Sequence, residues 1–327
     1  MRSRPRSSRR REAASGGNRY LVWLDWPEKC FRACDGDIAL LRSLVPSGAE
    51  IVRVRGERAF LRELPRATHA IVWNFRPEWF AAAKRLRVLA TPAAGMEFVP
   101  SKGPKGVKIH FGGFQGPMIA ETVAAFALAW KRGFFRPELG KSQWPRNELS
   151  GVCGEVAGTK AVIVGYGRIG KAIGAKLRSL GVSVSGVTRH GVFEGSRRIA
   201  PPGDLGLDRL SSADWCILAL PSTTGTDNWL DSGKMARMPR RCVVVNVGRG
   251  NSIDEAALFA ALKSGRIAGA YLDVRKREPS ATVLDSPGYV PELSSLPNCI
   301  QTPHSSAFSP RYIGRCFSEL AKKGLLS

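Results

Sequence analysis

The sequence predicts an α/β chain of two domains built on parallel sheets, and three observations carry that prediction. At 327 residues it exceeds what one small core fills, since domains hold roughly 100–200 residues. Short apolar runs alternate with helix-like stretches from Arg19 onward, the rhythm of βαβ units, and no repeat of fixed short period underlies it. The composition, 43% hydrophobic and 24% charged with 35 Gly and 21 Pro, excludes collagen-like, low-complexity and largely disordered chains.

Taken in order, residues 20–24, 50–54, 69–73 and 86–90 read as the strands of a first series. Residues 118–132 carry Ile119, Val123, Phe126 and Trp130 at helical spacing. With the polar stretch up to Gly151 they read as the connection between domains. A second series follows Lys160, with strands at 161–164, 182–187, 215–220, 242–246, 268–274 and 299–302. Sheets of this kind are covered on both faces, and ligands collect at the loops beyond the carboxyl ends of their strands. No run reaches the roughly 20 apolar residues that span a bilayer, because the greasiest, residues 119–130, is interrupted by Glu121 and Thr122.

Fifty Lys+Arg against 27 Asp+Glu give a net charge of +23, a field that attracts nucleic acid, phosphorylated cofactors and carboxylates alike. Arg2, Arg4, Arg6, Arg9, Arg10 and Arg11 against Glu12 concentrate part of it at the start. Residues 1–18 read as a basic, solvated, disordered tail, with organelle targeting or an acidic partner as alternatives; lacking an apolar stretch, they cannot be a secretory signal. Seven cysteines, odd in number and free of C-x-x-C spacing, indicate neither a disulfide frame nor a zinc site. Cys216 and Cys242 lie in apolar runs, which points to a reducing compartment, the cytoplasm.

Gly165-Tyr166-Gly167-Arg168-Ile169-Gly170 fits G-x-G-x-x-G between an apolar run and a helix-like stretch. In that setting Gly165 permits the tight turn, Gly167 lets a pyrophosphate approach the backbone, and Gly170 lets helix and strand pack closely. An acid that bonds the ribose hydroxyl is expected about 20 residues on, but Thr188, Arg189 and His190 stand there. A hydroxyl and a guanidinium suit a 2′-phosphate, so NADP(H) is favoured. If Arg189 is only an exposed loop residue, NAD(H) binds as well.

Three further segments each begin a loop after a strand-like run: Asn246-Val247-Gly248-Arg249-Gly250, Leu272-Asp273-Val274 leading to Glu278-Pro279, and Thr302-Pro303-His304. With the glycine turn, and with matches from Leu220-Pro221 to Thr226 and at Asp254-Glu255, the sequence resembles the D-isomer-specific 2-hydroxyacid dehydrogenases over roughly residues 88–312. The resemblance implies two Rossmann-like or flavodoxin-like domains. A dinucleotide-binding domain, residues 118–301, is inserted into a substrate domain, residues 19–117 and 302–327, with the cleft between them. Arg249, Glu278 and His304 would be catalytic, and Asp273 would face the nicotinamide carboxamide. Gly165, Gly167, Arg168, Ile169, Gly170, Thr188, Arg189, Pro221, Thr226, Val247 and Gly248 would contact the cofactor, and a homodimer forms.

The chemistry of 2-keto acid reduction fits these residues. It needs a cation for the carboxylate and keto oxygen and a proton donor for the developing alkoxide. Arg249 presents a planar fork that never deprotonates. His304, with an unperturbed pKa near 6.5, donates in one direction and accepts in the other. Glu278 orients the imidazole and raises its pKa, unless it merely pairs with Arg275, Lys276 and Arg277. After the strand at 86–90, residues 91–97 resemble the family's carboxylate loop, with main-chain N–H groups around Ala94 and Gly95 suited to an anion. Departures from the family pattern are Glu97 in place of Asp, Arg275 in place of an aromatic, and a long stretch between Glu278 and His304. Phosphoglycerate dehydrogenase is the alternative enzyme, although the first domain carries no phosphate motif. A dinucleotide-sensing co-repressor is the alternative of another class, with nucleic-acid binding disfavoured by the absence of a motif for it.

Overall fold

The computed structural model describes residues 17–136, 144, 146–195, 197–200, 206–278, 288 and 290–327. The chain divides into two units, Met1–Gly112 with Ile313–Ser327, and Gly113–Tyr312 inserted between those segments.

In the first unit, β1 (Arg19–Trp23), α1 (Asp35–Leu44), β2 (Glu50–Arg53), α2 (Glu57–Glu63), β3 (His69–Val72), β4 (Val88–Thr91) and β5 (Lys108–Phe111) follow one another. All five strands are parallel, in the order β2-β1-β3-β4-β5, so the strand order reverses at β1 as in flavodoxin-like sheets. β3 and β4 are buried throughout, which is why residues 70–72 and 88–90 read as apolar runs, with His69 and Thr91 as buried polar ends. β5 escapes a sequence reading because, at the sheet edge, its Lys-Ile-His-Phe run is only partly buried. Asn18, read as tail, already belongs to the fold, its carbonyl accepting from the Glu50 N–H at 3.0 Å, while residues 1–16 of that tail lie outside the described residues. The last helix, Tyr312–Lys322, buries Ile313, Cys316, Phe317 and Leu320 at helical spacing. Beyond it, the Leu326 carbonyl accepts the Tyr20 hydroxyl at 2.8 Å and ties the chain end to β1.

The second unit runs α3 (Gly116–Lys131), α4 (Arg146–Ser150), β6 (Lys160–Val164), α5 (Arg168–Ser179), β7 (Ser183–Thr188), β8 (Gly191–Glu194), β9 (Arg197–Ala200), α6 (Leu207–Leu210), β10 (Trp215–Leu218), α7 (Ser232–Arg237), β11 (Val243–Asn246), α8 (Glu255–Lys263), β12 (Gly269–Leu272) and β13 (Cys299–Gln301). Its sheet has the order β13-β12-β11-β10-β6-β7-β8-β9, parallel from β13 to β7. β6 sends alternate residues to the two faces, Ala161 and Ile163 to one core and Val162 and Val164 to the other.

The parallel sheets expected from the sequence are found, and the second one adds an antiparallel edge: β8 runs antiparallel to β7 and β9 antiparallel to β8. Only Arg189 and His190 separate β7 from β8, far short of the dozen or so residues a parallel crossover needs. Residues 118–132, read both as the connection and as the start of the dinucleotide-binding domain, lie in the second unit. α3 buries Ile119, Val123, Phe126 and Ala127 with Ile163, Ile173 and Leu177 in one core of this unit. Among the described residues, no helix is long and apolar enough to cross a membrane.

Candidate active site

Strand order in the second sheet reverses at β6, whose neighbours are β7 on one side and β10 on the other, and ligands of open α/β sheets gather beyond the carboxyl ends at that point. The glycine turn sits there. Gly165 has φ +90°, and a Cβ on it would lie 2.5 Å from the Ala219 carbonyl oxygen. Gly170 packs on the turn itself, where a Cβ would come 2.4 Å from the Gly165 oxygen. Gly167, the N-cap of α5, has nothing within 4 Å of the place a Cβ would take, so the main chain leading to Arg168 and Ile169 is open to a ligand. A helix N-terminus with open backbone fits a pyrophosphate.

Thr188 ends β7, and the tight turn that follows uses its hydroxyl, which accepts from the His190 N–H at 3.0 Å and lies 3.2 Å from the Gly191 carbonyl. The side chains beside it are basic and exposed: Arg189 Nε donates to His190 Nε2 at 3.2 Å. After β10, Pro221 and Thr226 close a short loop through Thr226 Oγ1 donating to the Pro221 carbonyl at 2.7 Å. After β11, Val247 and Gly248 are buried, and Gly248 abuts Leu220 of that loop.

Arg249 follows directly. The turn that carries it is held by its own carbonyl, which accepts from Asn246 Nδ2 at 3.1 Å and from Ser252 Oγ at 2.7 Å. Glu278, on the loop after β12, places Oε2 2.8 Å from His304 Nδ1, on the loop after β13. The His304 side chain is about half exposed and that of Glu278 about one-fifth, so the imidazole keeps an open edge. His304 also has φ +51°, a left-handed backbone that a non-glycine residue holds at a cost of about 1–3 kcal/mol, usually at functional sites. Its pKa is raised above 6.5, first by the hydrogen bond to Glu278 and further by the charges of Glu278 and Asp273, while burial and the Arg249 guanidinium act against this.

Asp273 is nearly fully buried and turned into the His304 loop. Its Oδ1 accepts from Thr302 Oγ1 at 2.5 Å, Ser305 N at 2.8 Å and Ser306 N at 3.2 Å, and its Oδ2 accepts from Ser306 N at 3.1 Å. These donors occupy much of a carboxylate's roughly four lone-pair sites, so the side chain's evident task is to hold this loop. The sequence reading passed over Thr302, Ser305 and Ser306 in that role; the Thr of Thr302-Pro303-His304 was the available signal. Ala94 and Gly95 lie in the other unit, on the loop after β4, where the Thr91 hydroxyl accepts from the Ala93 N–H at 3.2 Å. Residues 279–287, most of the first part of the long insert, lie outside the described residues. Among the described residues, no group of three or more His, Cys, Asp or Glu is placed to hold a metal ion.

Comparison with known proteins places this geometry in context. The family described as D-isomer specific 2-hydroxyacid dehydrogenase, NAD binding domain, matches residues 123–306, more than half of the chain. A glyoxylate reductase of Thermococcus kodakarensis is 29% identical over 238 residues, covering 69% of this chain and 69% of that protein. A D-3-phosphoglycerate dehydrogenase of Archaeoglobus fulgidus is 28% identical over 260 residues, covering 76% of this chain and 47% of that longer protein. In fold, the chain is similar to a solved D-isomer specific 2-hydroxyacid dehydrogenase family protein from Aeromonas salmonicida, with a TM-score of 0.70 at 24% identity over 95% of this chain and 96% of that one.

Proposed function

Because the chain belongs to the D-isomer specific 2-hydroxyacid dehydrogenase family, NAD-dependent oxidoreductases acting on CH–OH groups, we propose that it interconverts a small 2-keto acid and the D-2-hydroxy acid. The observation that carries this reading is the His304–Glu278 pair at 2.8 Å, under the influence of Arg249. A nicotinamide dinucleotide, when bound, supplies or takes the hydride. Gly165, Gly167, Arg168, Ile169 and Gly170 would hold its pyrophosphate, Thr188 and Arg189 its adenosine ribose, and Pro221, Thr226, Val247 and Gly248 its far side. Asp273 would face the nicotinamide carboxamide from the loop that its side chain holds through Thr302, Ser305 and Ser306.

In reduction, Arg249 holds the substrate carboxylate and polarises the keto oxygen. His304 gives the proton on Nε2 to the developing alkoxide, while Glu278 keeps Nδ1 protonated and stabilises the charged ring. In oxidation the neutral imidazole takes that proton back. Main-chain N–H groups at Ala94 and Gly95 would add to the binding of the carboxylate. The experiment that tests the reading is oxidation of NADPH and NADH by purified protein against glyoxylate, hydroxypyruvate, pyruvate, phenylpyruvate and phosphohydroxypyruvate. Turnover of at least one supports it, and silence on all five overturns it.

The first unit supports a particular order within that panel. Directly after Gly95, Met96, Glu97 and Phe98 line a cavity of about 430 Å³ together with Trp23, Phe75 and Trp79. Its arginine, Arg76, is already paired with Glu57 at 3.1 Å and lies over the Trp79 ring, and Glu97 adds a second carboxylate. Aromatic walls with more acid than base favour a bulky uncharged side chain over a phosphate. If this cavity receives the substrate's side chain, phenylpyruvate is expected to show a higher kcat/KM than phosphohydroxypyruvate or glyoxylate, and a preference for phosphohydroxypyruvate would favour the phosphoglycerate dehydrogenase reading.

Cofactor choice rests on Arg189. Charge-assisted bonds to phosphate contribute about 1.5–3 kcal/mol, so Arg189→Ala is expected to lower the NADPH to NADH ratio of kcat/KM by about 10- to 100-fold. An unchanged ratio would remove Arg189 from the cofactor site. Assembly as a homodimer and a place in the cytoplasm complete the proposal, the latter supported by seven free cysteines.

A further inference from the structure

The loop that carries Glu278 is anchored by a buried ion pair that the reaction itself does not use. Arg275 and Glu255 are 9% and 2% exposed and meet as a fork, Nε to Oε1 at 2.9 Å and Nη2 to Oε2 at 3.1 Å. Nη1 donates to Gln301 Oε1 at 2.7 Å and Nη2 to the Val290 carbonyl at 2.5 Å. Glu255, the first residue of α8, also accepts from the main-chain N–H groups of Lys276 at 2.9 Å and Val290 at 3.0 Å. One guanidinium thus ties together α8, the loop after β12, the segment at Val290 and the end of β13.

Both catalytic neighbours rest on the main chain so held. The Arg275 N–H points to Glu278 Oε1 at 3.4 Å. On the other side, the turn after Arg249 packs so closely that a Cβ on Gly250 would lie 1.9 Å from the Arg275 carbonyl carbon. Gln301 lies three residues before His304, so the same fork also reaches the strand that delivers the imidazole.

We propose that Arg275 is a positioning residue for proton transfer: through Glu255, Gln301 and the Val290 carbonyl it fixes the loop that sets Glu278 against His304 and backs the Arg249 turn. This rests on the catalytic roles given above. The groups that act on the imidazole are Glu278 on the loop after β12, Asp273 at the end of β12 and Arg249 after β11. If Arg275 is lost, Glu278 loses the main chain that supports it and the Arg249 turn loses its backing.

The test compares wild type with Arg275→Met and Arg275→Lys, reading kcat and KM across pH and, separately, the NMR titration of the His304 ring. A misplacement of about 1 Å costs on the order of 100-fold, so Arg275→Met is expected to lower kcat by about 10- to 100-fold with a smaller change in KM. His304 should titrate closer to the ordinary value near 6.5, and the alkaline limb of the reduction profile should move to lower pH. Lysine keeps the charge beside Glu255 but not the fork, so Arg275→Lys should fall between the two. Wild-type His304 titration and kcat in Arg275→Met, even with lowered thermal stability, would overturn the proposal. If that variant does not fold, Gln301→Leu, at a partly exposed position, should shift the titration in the same direction, and no shift there is equally fatal. The ring titration needs no substrate, so silence of the wild type on the keto acids would sink the function reading while positioning is still decided.

Discussion

Replacing His304 by alanine is expected to cut the reduction kcat by about 10²- to 10⁴-fold, the usual contribution of a placed general acid, while KM changes little. The reason is geometric. His304 meets Glu278 through Nδ1 at 2.8 Å and leaves the other ring nitrogen to the substrate, and its left-handed backbone is kept by Asp273, whose main-chain oxygen accepts the His304 N–H at 2.9 Å. Steady-state kinetics with the best keto acid check this, and near-full activity in His304→Ala would remove it from the chemistry. The pH dependence has a definite sign. With His304 as the proposed donor, reduction consumes the protonated ring, whose pKa is raised above 6.5 chiefly by Glu278, so kcat is full below that pKa and falls as pH rises through it. Glu278→Gln removes the hydrogen bond to a charged partner and its field, while Arg249 still opposes protonation. The alkaline limb should then move to lower pH, and a limb that stays in place would show that Glu278 does not set it.

Arg249→Ala is expected to lower kcat/KM by roughly 10²- to 10³-fold through both kcat and KM, because in the proposed mechanism its guanidinium meets the carboxylate in the ground state and the growing oxyanion charge later. Arg249→Lys should recover only part of the loss, since an ammonium cannot present the planar fork. Dinucleotide binding, followed by cofactor fluorescence, should survive, because the glycine turn after β6 is a separate piece of main chain. If kcat/KM is unchanged, or if dinucleotide binding is lost with it, Arg249 does not hold the substrate.

Much of the fold is legible in the amino-acid sequence. Gly165, Gly167 and Gly170 announce a strand-turn-helix because their spacing lies within six residues between an apolar run and a helix-like stretch. Buried strands such as β3, β10 and β11 appear as nearly continuous apolar runs because both faces of a parallel sheet are covered. The α/β class and the family follow from such short-range features. β5 was missed for the complementary reason, since an edge strand need not be apolar, and the antiparallel pair β8–β9 was missed because a two-residue turn leaves little imprint on hydrophobic pattern.

Side-chain roles divide in the same way. Arg249, Glu278 and His304 are legible as residue types beside strand ends, and by itself the sequence determined the class of fold, the glycine turn between strand and helix, and these candidates. Tertiary structure alone decided their partners. Glu278 chooses His304, 26 residues away, Asp273 spends its carboxylate on Thr302, Ser305 and Ser306, and Arg275 reaches back 20 residues to Glu255. Periodicity and turn chemistry act over a few residues and are written along the chain. Which charge meets which depends on the strands that bring distant loops to one end of a sheet, and that exists only once the chain has folded.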